Sequence, residues 1–348
     1  MTIILTVIGN DTGLFSLGDI LTSAPGYLGA GLSLPLQFDA PAHSSGGYGL
    51  SGFAQKLALV TPNVLVAWAG SYAVARALVE RVKLSAIRDE HVDLTAVVSA
   101  SGLSTAEVAE VSLILHQVIG DQIEIQFLNA ERGEIDGIDA AWQGSGAFDF
   151  VHDTVIDAGG RGSDWQAILR GLLTRAASTL VGEAIHGSPY EYLYGGWLEM
   201  VISRTSGLRK IPYAIKFWGR RGQEYGYDAP IFFNWYKGKT LFVCSLDQRS
   251  GSSGVRTLEV PELLSSKKWR KVRTTPRYQP EFTFHVVLDE DADGTEIYIS
   301  DRHSLGHMTL EVSRDGSYQM KVAKEFIHQM MGRHVTPSLR VSKKSDAD

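Results

Sequence analysis

The chain has 348 residues, 44% hydrophobic and 21% charged, with a formal net charge of −6 and one cysteine, Cys244. That composition is globular and long enough for two domains, and the acidic balance gives no general attraction to nucleic acid or acidic lipid. A single cysteine excludes an internal disulfide and a cysteine-rich metal site, as suits a reducing cytoplasm; no apolar run reaches membrane-spanning length, and no basic segment precedes the apolar N-terminus as a signal peptide requires.

The opening run MTIILTVIG is apolar and β-branched, which suits a buried strand. Asn10–Gly13 is a cluster of turn residues, and Leu14–Asp19 reads as the returning strand of a hairpin. Residues 21–54 are rich in Gly, Ser, Pro and Ala and read as a long connection, a lid or partner-contact loop. Its glycines lack the lysine and hydroxyl spacing of a phosphate loop. Val64–Ala69 predicts a third short strand that stops at Gly70. The spacing of Val74, Leu78 and Val82 predicts a helix after it. A capping box at Ser104–Glu107 predicts a second helix, running to Gly120. Asp121–Ala130 and Ile135–Trp142 read as a hairpin turning at Glu131–Glu134, ended by Gly144-Ser-Gly146. Residues 147–158 read as a short helix, and a capping box at Ser163–Gln166 opens another. Gly195-Gly196 leads into the strand WLEMVISR. Strands grouped apart from paired helices argue α+β layers. From about Lys210 the texture turns to short β-like runs (IPYAIKFW, PIFFNWY, TLFVCSL, FTFHVVLDE, TEIYIS, HMTLEV), with YQMKVAKEFIHQMM as a final helix. The expected organisation is a domain over 1–209, a mostly β region over 210–333 and a polar, disordered tail over 334–348.

Smaller signals carry less. Asp289–Gly294 resembles the start of a calcium loop, but Ser300 stands where that loop needs a bidentate glutamate, so a hairpin turn is the better reading. Lys267–Arg273 and Arg277 are basic around one Trp and read as a solvated or partner-contacting loop. His285, His303 and His307 have no ligand spacing, and no metal or cofactor is assigned.

Position 2 carries the chemistry. A hydroxyl residue directly after the initiator Met, starting a buried strand, is an odd place for an ordinary threonine. With Met1 removed, Thr2 holds a free amine and a hydroxyl on one residue, a self-contained nucleophile and base.

Four elements, in this order, make residues 2–209 similar to the proteasome β-subunit family of N-terminal-nucleophile hydrolases, which includes bacterial peptidase subunits of HslV type. Thr2 follows the initiator Met. Gly18-Asp19 ends the second strand, similar to the family's A-G-D element. Lys56-Leu-Ala-Leu, then Val64–Gly70 and a helix, is similar to the family's lysine strand, next strand and glycine. Gly144-Ser-Gly146, between a hairpin and a helix pair, is similar to its G-S-G element. Two departures stand out: the connection from Asp19 to Lys56 is longer than usual, and Glu191 and Tyr194 stand where the family often has an acid and a hydroxyl before Gly195.

The resemblance implies a four-layer αββα sandwich and amide hydrolysis through an acyl ester. Thr2 Oγ would attack, and its α-amine, with a reference pKa of about 8, would take the proton. Lys56 would favour the ionised hydroxyl, Asp19 would hold Lys56, the Gly70 N–H would donate to the oxyanion and Ser145 would support the amine. It also implies a peptide or protein substrate, a homo-oligomer and an unfoldase or regulatory partner. Two alternatives stay open: a catalytically silent scaffold or partner-binding subunit, and a small amide in place of a peptide.

Overall fold

The structure is a computed structural model that describes residues 2–9, 13–26, 36, 44–45, 47–88, 91–135, 138–144, 165–186, 195–204, 207–221, 224–226, 230–247, 254–264, 278–289, 294–312 and 318–331. It is a mixed fold of helices and mostly antiparallel sheets, in two compact units. The first is Met1–Lys210 with Val260–Lys267, and the second is Ile211–Glu259 with Lys268–Asp348. No helix among the described residues is long and apolar enough to cross a membrane.

The first unit begins with β1 (Ile4–Ile8) and β2 (Leu14–Asp19), the expected hairpin, paired from Ile4↔Gly18 to Ile8↔Leu14. Next come β3 (Leu21–Pro25), β4 (Ser44–Ser45) and β5 (Tyr48–Phe53), which form a three-stranded sheet of order β3-β5-β4. The stretch expected as one long connection therefore carries strands at both ends. Its alternation is hidden by glycine and serine, which have no strand signature of their own. β6 (Leu57–Thr61) and β7 (Val64–Gly70) follow, then α1 (Tyr72–Arg88), α2 (Leu94–Ser99) and α3 (Thr105–Ala109).

The capping box that opens α3 is present: the Ser104 hydroxyl accepts the Glu107 N–H, and Glu107 accepts the Ser104 N–H at 2.8 Å. The helix does not run on to Gly120. Residues Val111–Ile119 form β8, buried on both faces, and its mostly apolar run with Ser112, His116 and Gln117 set into it shows no clean period of either kind. β9 (Gln122–Leu128) pairs with β8, while β10 (Glu131–Ile135) pairs with β11 (Ile138–Gln143) in a different sheet. The hairpin expected to turn at Glu131–Glu134 is thus replaced by two hairpins, and those four residues are strand. α4 (Trp165–His186), β12 (Leu198–Arg204) and β13 (Gly207–Lys210) complete the order. The predicted helix over 147–158 and the cap at Ser163 lie outside the described residues.

One sheet runs β10-β11-β1-β2-β12-β13 and another β6-β7-β8-β9. Their facing sides share a core in which Ile4, Leu14, Ala141, Val201 and Leu208 meet Leu57, Leu65, Ala67 and Ile114. The opposite face of the second sheet, through Val64, Val66, Trp68 and Leu113, packs on Val74, Leu78 and Val82 of α1 and Leu94 and Val97 of α2. Alternate residues of β7 therefore enter two different cores, which is why Val64–Ala69 is apolar at every position. Helix α4 is fastened to the first sheet at both ends. A Cβ at Gly9 or Gly13 would meet the Trp165 ring at 2.3 or 2.6 Å, and buried Glu183 accepts the Gly196 N–H at 2.9 Å.

The second unit holds β14 (Tyr213–Arg221), β15 (Glu224–Gly226), β16 (Ile231–Lys237), β17 (Thr240–Asp247), β18 (Gly254–Val260), β19 (Phe282–Asp289) and β20 (Gly294–Asp301). They form a sheet of order β18-β17-β16-β14-β19-β20, with β15 on β14 and a parallel pair at β14-β19. β21 (Thr309–Val312) and β22 (Tyr318–Lys321) make a hairpin, and α5 (Lys324–Met331) adds Ile327 and Met330 to the unit's core. YQMK, read as the start of the last helix, is strand. Asp289 and Gly294 pair across the expected hairpin turn. The basic run Lys267–Arg273 and the tail 334–348 lie outside the described residues.

Candidate active site around Thr2

Thr2 is 2% exposed, and its Oγ1 is buried with no hydrogen-bond partner among the described residues. A buried hydroxyl almost always finds a partner, so this one asks for an explanation. Its backbone is crowded by Gly144, where a Cβ would lie 1.6 Å from the Thr2 carbonyl oxygen and where φ is +114°. Only glycine permits that approach. The first glycine of the G-S-G element thus lies against Thr2, brought there by the β1-β11 pairing of Ile4 with Gln143. Ser145 lies outside the described residues, as do Met1, Glu191 and Tyr194.

Asp19, at the end of β2, is fully buried. Its Oδ1 accepts the Ile3 N–H and its Oδ2 the Gly195 N–H, each at 3.1 Å. Burial pushes its pKa up to about 6, against the opposing pull of the Lys56 charge and the two amides. Gly18 is glycine because Lys56 crosses over it: a Cβ there would lie 2.9 Å from Lys56 Cβ.

Lys56 is 3% exposed, and its ammonium sits 4.4 Å from the centroid of the Trp68 ring. Burial holds its pKa below the usual lysine range, while Asp19 and then Glu199 draw it back up. Trp68 is itself fixed, its Nε1 donating to the Gln55 carbonyl at 2.9 Å.

Gly70 ends β7 with φ +95°, and a Cβ would stand 2.1 Å from the Glu110 carbonyl oxygen. It is exposed, unlike the six residues before it. Asp19 therefore ties the backbone behind Thr2 to the charge of Lys56, and Gly144 abuts Thr2. Gly70 closes the same β7 strand that carries Trp68.

Glu199 and Lys210 were not legible as site residues. Glu199 is fully buried on β12, and Lys210 Nζ meets its Oε1 at 2.8 Å. The available signal was a lone acid inside the apolar strand WLEMVIS.

No family model matches the chain, and no curated protein matches it. A crystal structure of eukaryotic HslV from Trypanosoma brucei is similar over 57% of this chain and 98% of its own, at 19% identity and a TM-score of 0.32. A likeness that loose carries no weight beside the geometry above.

Proposed function

We propose that the chain is an N-terminal-threonine amidohydrolase of peptidase type, active once Met1 is removed, on a four-layer αββα sandwich formed by the first unit. The observation that carries the reading is the buried Thr2 hydroxyl, without a partner among the described residues, just ahead of β1 where Asp19 holds the next amide. Two facing sheets, with α1 and α2 on one side and α4 tied to the other sheet, support the layered architecture.

In this reading Thr2 Oγ attacks the substrate carbonyl and the freed α-amine takes its proton. Lys56 stabilises the alkoxide as it forms, and Asp19 keeps Lys56 charged. The Gly70 N–H donates to the oxyanion, and Ser145 assists the amine. The amine of the substrate leaves, and water hydrolyses the Thr2 ester. Substrate is a peptide or protein; the subunit assembles into a homo-oligomer and works with an unfoldase or regulatory partner. No cofactor is required.

One observation favours a second reading, a silent subunit that scaffolds or binds partners. Thr2 is only 2% exposed, and a substrate must reach it. Intact mass with N-terminal sequencing, joined to labelling by a hydroxyl-reactive β-lactone, separates the two. A Thr2 N-terminus that labels supports the hydrolase. A retained Met1 with no labelling leaves the scaffold.

A further inference from the structure

Gly18 on β2 and Glu199 on β12 are cross-strand partners, so their side-chain positions share a face of the sheet. At Gly18 the missing side chain makes room for Lys56. At Glu199 a carboxylate rises on the same face into the start of β6. Its Oε2 accepts the Leu57 N–H at 3.3 Å, and the Lys56 N–H approaches the same group. Its Oε1 is taken by Lys210 Nζ, which also donates to the side chain of Gln55. Gln55 in turn accepts the indole N–H of Trp68 on its carbonyl, and the Trp68 ring carries the Lys56 ammonium. Residues 55, 56 and 57 are thus each bound by one closed set of contacts.

We propose that Glu199 is a positioning residue for Lys56, anchoring its backbone and lending it a second negative neighbour, and that Lys210 keeps that carboxylate ionised. This rests on the reading of Lys56 as the lysine of a Thr2 hydrolase. The charged groups facing Lys56 are Asp19 from β2, Glu199 from β12 and, behind Glu199, Lys210 from β13; the Thr2 amine joins them after processing. Two carboxylates balance the Lys56 and Lys210 ammoniums, with the Thr2 amine neutral. With Asp19 alone, Lys56 would be one cation sharing a buried space with another.

The test reads Lys56 directly, by NMR titration of protein carrying lysine labelled at Cε, with Lys56→Arg to assign its signal. Glu199→Gln keeps the size and one acceptor for the Leu57 N–H, so it removes the charge and leaves the anchor. It should lower the Lys56 pKa by about one unit, and the alkaline limb of peptide hydrolysis should move down with it. Lys210→Met should lower the Lys56 titration as well, because the buried Glu199 carboxylate loses the charge that keeps it ionised. A merely structural role would lower stability in both variants without moving the Lys56 titration. Lys56 titrating unchanged in both variants would overturn the proposal. If Glu199→Gln does not fold, Lys210→Met decides alone. Downward shifts in a protein that never cleaves peptide would uphold the positioning role and sink the hydrolase reading.

Discussion

The carboxylate of Asp19 accepts the N–H of Ile3 at 3.1 Å, so the group that faces the Lys56 charge also fixes the backbone directly behind Thr2. One residue thereby serves both the backbone beside Thr2 and the electrostatics around Lys56. Asp19→Asn should separate these roles poorly. One of its two oxygens becomes an NH2 that must oppose a buried backbone N–H. A loss of about 1–3 kcal/mol is expected, measured by urea unfolding at pH 7. Turnover should be lost as well. A double variant with Lys56→Ala should be little slower than either single one, because the pair acts as a unit.

Thr2→Ala should behave oppositely. Its Oγ1 has no partner to lose, so stability should stay within about 1 kcal/mol of wild type while turnover disappears. Thr2→Ser keeps the hydroxyl and should retain part of the rate. A residue added ahead of Thr2 should silence the protein like the Ala variant, since an amide nitrogen cannot take the proton. Peptide hydrolysis by each form, on protein of verified N-terminus, checks all three.

The two close-approach glycines should be intolerant. Gly144→Ala drives a Cβ into the Thr2 carbonyl oxygen, and Gly70→Ala drives one into that of Glu110. Each also holds a positive φ, so losses above about 2 kcal/mol are expected from strain and displacement together. Gly102 is the control, with φ +75° but open space around it. Gly102→Ala should cost about 1–2 kcal/mol, from the backbone alone. Equal losses at all three positions would refute the steric argument.

His116 should make the first unit acid-sensitive. It is fully buried on β8, and neither ring nitrogen has a partner of good geometry. Burial holds its pKa down to about 3. The unfolded chain binds the proton near pH 6.5 and the folded chain does not. The stability from a neutral His116 is therefore present above pH 6.5 and is lost as pH falls towards 3. His116→Leu should flatten that dependence and, with two poorly satisfied buried nitrogens removed, should not lower stability at pH 7. Unfolding at pH 5 and pH 7 would reveal it; an unchanged difference between the two would count against it.

Much of this was legible because local pattern and tertiary role agreed. The β1-β2 hairpin, β7 and α1 have clear turn residues, an apolar run and a helical stripe. The β-like runs of the second unit were bounded by turn clusters in the same way. The failures share one cause. Val111–Ile119 carries apolar residues on both faces with Ser112, His116 and Gln117 among them, so it has no clean period to read, and a real capping box just before it invited a helix. Glu131–Glu134 is charged with a glycine and looks like a turn, yet it pairs with β11 at the edge of its sheet. Of the candidate site, Thr2, Asp19, Lys56 and Gly70 were singled out by residue type and order. Glu199 and Lys210 could not, because which strands become neighbours is decided by sheet order, not by distance along the chain.

The return of Val260–Lys267 to the first unit has a bearing on synthesis. Val260 and Leu263 are buried there: the Val260 carbonyl accepts the Gln55 side-chain amide at 2.6 Å, and Leu263 joins the core beneath α1. A ribosome must therefore finish Ile211–Glu259 before the N-terminal unit can close its last contacts. Until then the segment that carries Lys56 waits with a gap beside it. A fragment ending at Lys210 would lack these contacts, and the surroundings of Gln55 and Lys56 would be completed late, when most of the chain has already emerged.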